Sequence, residues 1–218
     1  MYVRAGKKTV RIVNLIENTE GEAGCISAHG LSFYIENGGR KILMDLGPSD
    51  DTLKNAGALG IDLKSVDTVI LSHGHYDHSG GILPFAEIND HAGIYMQSSA
   101  TGEYYADDGP AAGDERFRYI GIDKRIRDLK QVRLIDGDCE IAPGIEMFTI
   151  KNRTHDLSPV IKRGRPGLPA SRMIRNYLPV ILACIASSSS LTFPPVRACC
   201  STEMTPCLTS FHSALVVG

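Results

Sequence analysis

A short histidine-rich loop constrains this chain more than any other feature. Residues 72–81 read SHGHYDHSGG, and they follow an apolar run at 66–71 that predicts a buried strand. Ligands of open α/β sheets lie beyond the carboxyl ends of strands. Three histidines and an aspartate in six residues at such a point favour a metal site over a solvated, metal-free turn.

Four side chains of this loop are the candidate metal ligands. His73 and His75 stand two residues apart, so an extended backbone directs both imidazoles to the same side. Asp77 and His78 lie on the following turn, where a carboxylate and an imidazole can serve a second ion. The predicted ligands are therefore His73, His75, Asp77 and His78.

The residues around the loop predict an α/β fold. Strands are expected at 10–16, 31–36, 40–45, 66–72, 93–96, 132–135 and 145–150. Helices are expected to begin near Pro48 and near Gly81, and Asn37-Gly38-Gly39 predicts a hairpin turn. Strands that alternate with helices are typical of a sheet covered by helices. The polar segment 98–130 is predicted to be irregular, either as a surface excursion or as a lid over the site.

These motifs resemble the metallo-β-lactamase superfamily, whose signature is His-x-His-x-Asp-His after a buried strand. Within it, the chain is most similar to the branch of 7,8-dihydropterin-6-methyl-4-(β-D-ribofuranosyl)aminobenzene 5'-phosphate synthase-like proteins. The similarity to the branch lies in ENT at 17–19, HGLSFYIE at 29–36, ILMDLG at 42–47 and LGIDL at 59–63. The resemblance covers about residues 10–150 and implies an αββα sandwich, which this chain would leave incomplete at its C-terminus.

The resemblance also implies a chemistry. Members of the superfamily use one or two metal ions, usually zinc, with manganese or iron as alternatives for mixed imidazole and carboxylate ligands. The ions activate water for attack, so no side-chain nucleophile is required. Asp77 would bind the second ion and orient this water, which makes it the implied catalytic residue. Asp45 would accept hydrogen bonds behind the ligands, unless it is an ordinary aspartate at the end of a strand.

The remaining ligands of the superfamily have no clear match. His155 stands in a suitable position but in unmatched surroundings, so it is either a ligand or a loop histidine. His212 resembles the last histidine of the family and lies in an unusual tail. His29 either reaches the site from its rim or makes a structural hydrogen bond.

The chain changes character near residue 150. Among Asp, Glu, Lys and Arg, only Arg197 and Glu203 lie within residues 177–218, together with four of the six cysteines. We therefore predict a metallo-β-lactamase-like domain at 1–150 and a divergent segment at 151–218. That segment is either a buried or interface-forming piece or the product of a shifted reading frame, which the coding DNA would reveal.

The composition indicates which classes of binding partner and which cellular compartment to expect. The formal net charge is -2, so nucleic acid is not an expected partner. The apolar run at 177–186 is far shorter than the roughly 20 residues of a spanning helix, so no membrane is expected either. Six cysteines without a secretory leader indicate a cytoplasmic protein. The expected partner is a small molecule, phosphorylated if the basic cluster Arg153, Lys162, Arg163 and Arg165 steers it, while solvated loop charge is the alternative. The oligomeric state is not predicted.

Three functions follow from these observations. The first is a metal-dependent hydrolase that uses metal-activated water. The second is a transferase of the kind for which the branch is named, which would join an aminobenzene ribosyl phosphate to a pterin precursor with loss of diphosphate. The third is a catalytically incomplete, non-enzymatic remnant that keeps only the first ligands.

Overall fold

A computed structural model describes residues 10–149 and two further strands, Ile161–Arg163 and Ile181–Ile185. His155 and His212 lie outside the described residues, as do Arg153, Arg165 and most of the segment 151–218. Lys162 and Arg163 lie in the strand Ile161–Arg163, whose backbone is described. The predictions made for all these positions therefore remain predictions.

A six-stranded mixed sheet forms the centre of the fold. With strands numbered along the chain, it contains β1 Val10–Ile16, β2 Ser32–Asn37, β3 Arg40–Met44, β4 Thr68–Ile70, β5 Gly93–Gln97 and β8 Val132–Ile135. The order is β1-β2-β3-β4-β5-β8. The first three strands are antiparallel, and β3, β4, β5 and β8 are parallel. The carboxyl ends of β3 and β4 consequently lie side by side.

Two smaller sheets and three short helices complete the described part. One sheet has the order β12-β10-β9 and contains β9 Cys139–Ala142, β10 Ile145–Thr149 and β12 Ile181–Ile185. The other has the order β11-β6-β7 and contains β6 Tyr104–Asp107, β7 Phe117–Tyr119 and β11 Ile161–Arg163. The α-helices are α1 Asp51–Ala58, α2 Tyr76–Ser79 and α3 Ile82–Ile88. Four 3-10 helices span Leu63–Ser65, Ser98–Thr101, Pro110–Glu115 and Lys124–Asp128.

The central sheet buries both faces, because apolar side chains alternate between two cores. On one face, Leu43 and Val69 pack with Ala56 of α1 and Phe85 of α3. On the other face, a second core joins the central sheet to β10. Its buried residues in the described part of the chain are Ile35, Ile42, Ile70, Ile145 and Met147. One helical layer and two facing sheets of the predicted α/β sandwich are therefore present. No helix in the described part of the chain is long and apolar enough to cross a membrane.

The structure confirms most of the predicted elements and corrects one segment. The strands expected near residues 10, 31, 40, 66, 93, 132 and 145 form within a few residues of their predicted bounds. The segment 98–130 was expected to be irregular, and this was wrong: it contains β6, β7 and three 3-10 helices. Its strands alternate only over three or four residues, which is too short for a periodic signal to stand out.

Candidate metal centre

The candidate centre lies where β4 ends and α2 begins. Leu71 continues the sheet, because its amide donates to the carbonyl of Tyr95 at 2.9 Å. His75 is extended, with φ -109° and ψ 151°, and the helix α2 starts at the next residue. His73 and His75 thus precede the helix, while Asp77 and His78 lie within it. His75 is extended as expected, whereas His73 and Gly74 lie in a bend rather than in an extended segment, and the expected turn after them is the start of α2.

Asp45 is the hub of hydrogen bonds behind the histidines. It follows β3, is fully buried, and adopts a left-handed backbone with φ 57°. One carboxylate oxygen accepts the Ser72 amide at 2.7 Å. The other accepts the Ser72 hydroxyl and lies 2.7 Å from Nδ1 of His78. A single carboxylate therefore ties the end of β3 to both ends of the histidine loop.

This hub sets the tautomers of two imidazoles. The Ser72 hydroxyl gives its proton to Asp45, so it can only accept from Nδ1 of His73, 2.9 Å away. Nδ1 of His78 likewise donates to the Asp45 carboxylate. With Nδ1 protonated in both rings, Nε2 carries the free lone pair whenever the ring is neutral. That is the form in which histidine binds a metal ion.

His75 differs from the other two because its ring is held by packing. Its Nε2 is buried and has no hydrogen-bond partner among the described residues. Its ring lies 4.5 Å from the ring of His73 and 5.5 Å from that of Tyr104. A buried, unpartnered ring nitrogen is costly unless a ligand satisfies it. Among the described residues, this nitrogen is therefore the clearest indication that the loop binds a ligand.

Burial controls the charge of these rings. It lowers the pKa of His75 to about 4, with nearby Asp77 opposing this and nearby His78 reinforcing it. Burial, followed by the charges of His78 and His75, lowers the pKa of His73 well below its ordinary value. For His78, burial also lowers the pKa, but the charge and hydrogen bond of Asp45 and the charge of Asp77 outweigh it and raise the pKa. His73 and His75 are hence neutral at pH 7, as metal binding requires.

Asp77 lies between His78 and the exposed His29. Its Oδ2 lies 3.6 Å from Nε2 of His78 and 3.4 Å from Nε2 of His29. Two ligand atoms on one tetrahedral ion, with bonds of about 2.0–2.1 Å, are separated by roughly 3.4 Å. The Asp77 and His78 atoms are already close to this spacing. His29 contacts the cluster with a side chain that is 70% exposed, a geometry that fits both of its predicted roles.

Two glycines let the surrounding backbone close on the loop. A Cβ at Gly74 would lie 2.2 Å from the carbonyl oxygen of Ala100. A Cβ at Gly80 would lie 2.0 Å from the carbonyl oxygen of Pro48, and the Gly80 amide donates to Gly47 at 2.8 Å. Any side chain at these positions would push the loop away from its supports.

The donor set suits a metal ion, although it is not a finished coordination sphere. Within residues 10–149, no three His, Cys, Asp or Glu side chains converge tightly enough to hold an ion as they stand. The donors are nevertheless the right kind: imidazoles with Nε2 available, one of them buried and unpartnered, beside a carboxylate. A bound ion would take its remaining ligands from solvent, from substrate or from residues outside the described ranges.

The structure brings together every candidate of the first two thirds of the chain. His73, His75, Asp77 and His78 form the cluster, Asp45 lies behind it, and His29 lies on its rim. Sequence reasoning missed two residues. The Ser72 hydroxyl makes hydrogen bonds to both Asp45 and His73, and Tyr104 packs on His75. Ser72 directly precedes the motif, so its position was a signal, whereas nothing in the sequence marks Tyr104.

Comparison with known proteins points to one family. The profile of the metallo-beta-lactamase superfamily matches residues 28–161. Over 115 residues, the chain is 39% identical to 7,8-dihydropterin-6-methyl-4-(beta-D-ribofuranosyl)-aminobenzene-5'-phosphate synthase of Methanocaldococcus jannaschii, covering 46% of this chain and 39% of that protein. The crystal structure of Tm1679, a metal-dependent hydrolase of the beta-lactamase superfamily, superposes with a TM-score of 0.63 at 25% identity. It covers 81% of this chain and 61% of that one.

The chain therefore belongs to the metallo-beta-lactamase superfamily, and its described part has the fold of that family. It spans well under half the length of the synthase and less than two thirds of Tm1679. Members of the superfamily usually bind metal ions, which agrees with the donor chemistry of the loop.

Acid is expected to destabilise the metal-free protein through His75. Its folded pKa of about 4 is below the ordinary value of 6.5, so the unfolded chain binds more protons between these limits. The stabilisation is complete above pH 6.5 and is lost as the pH falls towards 4, by up to about 3 kcal/mol. Urea unfolding of metal-free protein at pH 7 and pH 4.5 would measure it. His75→Gln should lose less stability than wild type over this interval, and an equal loss would contradict the assignment.

Proposed function

We propose that this chain is a metal-dependent hydrolase that acts on a small-molecule substrate. Zinc is the proposed ion, in one or two sites, because the donors are imidazoles and a carboxylate. The proposed ligands are His73, His75, Asp77 and His78. The observation that carries the proposal is the hydrogen-bond hub of Asp45, which engages Nδ1 of two of the three imidazoles and leaves Nε2 as the nitrogen that can face an ion.

The residues of the centre divide the work between them. Asp45 and Ser72 hold His73 and His78 in the binding tautomer, so little rearrangement accompanies ion binding. When bound, zinc supplies water that is activated near neutral pH and neutralises the negative charge that develops on the substrate. Asp77, with a side chain only 12% exposed beside His78, would orient the attacking water. Exposed His29 would contact the substrate at the rim.

A transferase is the second candidate. The observation in its favour is the 39% identity over 115 residues to the synthase of M. jannaschii. A reaction of this kind releases diphosphate, whereas hydrolysis consumes water and releases the two halves of the substrate. Diphosphate release in the presence of a pterin diphosphate and an aminobenzene acceptor would therefore favour the transferase. Turnover of nitrophenyl esters or phosphodiesters without an acceptor would favour the hydrolase.

Metal content is the first measurement for either candidate. The purified full chain would be saturated with Zn²⁺, freed of loosely bound ions by gel filtration, and subjected to elemental analysis. We expect at least one zinc per wild-type chain. His75→Ala should retain much less, because it removes the buried, unpartnered nitrogen.

His91→Ala is the matched control, because His91 is an exposed histidine outside the cluster, with 59% of its side chain accessible. It should retain as much zinc as wild type. A wild-type value near zero would contradict both enzymatic candidates and favour the remnant. Equal zinc in wild type and His75→Ala would place the ion elsewhere on the protein.

A further inference from the structure

The segment 98–122, here called the hairpin segment, grips the metal loop at three consecutive residues. The backbone of Ala100 lies against Gly74, where a Cβ would meet its oxygen at 2.2 Å. The ring of Tyr104 packs on His75. The carbonyl of Ile120 accepts the amide of Tyr76 at 2.9 Å. The hairpin segment is thus packed against the metal loop at each of these residues.

Tyr104 is buried and is held by hydrogen bonds from both its side chain and its backbone. It is 3% exposed, and its hydroxyl donates to the carbonyl of Ser99 at 2.8 Å. Its own carbonyl accepts the amide of Ile120 at 2.9 Å. Both ends of the residue are therefore anchored, and the ring meets that of His75 edge to face, with centroids 5.5 Å apart and an interplanar angle of 76°. This is a favourable aromatic geometry.

His75 needs such a support more than its neighbours do. The rings of His73 and His78 are oriented by hydrogen bonds from Nδ1. In the part of the chain that the structure describes, neither ring nitrogen of His75 makes such a bond. Its orientation depends on the rings packed beside it, and only Tyr104 among these lies outside the histidine cluster.

We propose that Tyr104 is a positioning residue for His75, and that its ring takes the place of the hydrogen bond that orients the other two imidazoles. This inference rests on the proposed metal centre. Without the aromatic ring, His75 can turn about its side-chain bonds, and this freedom is lost again when an ion binds. The expected consequence is metal affinity weakened by about 10-fold, at the lower end of the effect of losing an orienting partner.

Three variants of the full chain test the proposal. Tyr104→Met fills a similar volume without a ring, and Tyr104→Phe keeps the ring but removes the hydroxyl. Tyr105→Met is the matched control, because Tyr105 is the next residue of β6 and its ring packs on Tyr119 instead. Zn²⁺ affinity would be measured by competition with a chromophoric chelator. The visible spectrum of the Co²⁺ form would report the ligand geometry, and thermal unfolding of metal-free protein would report the fold.

We expect Tyr104→Met to bind Zn²⁺ about 10-fold more weakly and to alter the Co²⁺ spectrum, while Tyr104→Phe and Tyr105→Met remain close to wild type. If Tyr104→Met does not fold, Tyr104→Leu takes its place under the same criteria. Wild-type affinity and spectrum in the ringless variant would overturn this inference alone. Absence of Zn²⁺ binding by wild type would overturn the proposed function and this inference with it.

Discussion

Asp45→Asn is expected to lower metal affinity about 100-fold while the protein still folds. The amide oxygen can still accept the Ser72 amide, but the amide nitrogen replaces the oxygen that faces the Ser72 hydroxyl and His78. It would donate to Nδ1 of His78, which forces the proton of that ring onto Nε2. The freed Ser72 hydroxyl can then donate to Nδ1 of His73, with the same result. Both rings would present a proton to the ion.

Asparagine is the informative replacement because it isolates the charge and the hydrogen-bond pattern. Asp45 has φ 57°, a left-handed conformation that Asn tolerates far better than Ala. We expect a stability loss of about 1–3 kcal/mol from the mismatched buried groups. Zn²⁺ competition and urea unfolding measure the two effects separately. Asp67→Asn is the control, since Asp67 also accepts a backbone amide, from Lys41, but lies at the opposite end of β4. Unchanged affinity in Asp45→Asn would refute the orienting role.

Gly80→Ala is expected to destabilise the protein by about 3 kcal/mol or more. Gly80 has φ -60° and ψ -30°, which alanine adopts readily, so the effect is steric. The new methyl would lie 2.0 Å from the oxygen and 2.2 Å from the carbon of the Pro48 carbonyl, which are backbone atoms. Relief requires α2 to move away from the loop after β3, and the hydrogen bond from Gly80 to Gly47 opposes this.

Gly57→Ala is the matched control for this steric effect. Gly57 lies within α1, and no atom would come within 4 Å of its Cβ. Alanine there should stabilise the protein by about 0.5–1 kcal/mol, because glycine is the poorer helix former. Urea midpoints of the two variants should therefore move in opposite directions. A Gly80→Ala midpoint equal to that of wild type would contradict this prediction, because it would show that the loop after β3 can move aside at little cost in stability.

Local patterns explain why much of the fold could be predicted. The hairpin of β2 and β3 carries its own turn signal at Asn37-Gly38-Gly39, and β4 is a short apolar run. The hairpin segment gave no comparable signal, because β6 and β7 are short and are held by contacts to the metal loop. Tyr104 belongs to this group: its partner His75 is 29 positions away along the chain, and no local pattern records that contact.

The sequence by itself determined the family, the strand that leads into the site and the identity of the candidate ligands, because each can be recognised from a short run of consecutive residues. The tertiary structure alone decided how those ligands are prepared. Asp45 meets Ser72 and His78 only because β3 and β4 are parallel neighbours that end at the same edge of the sheet. The protonation state of each imidazole depends on burial and on partners distant in sequence, and these exist only once the chain has folded.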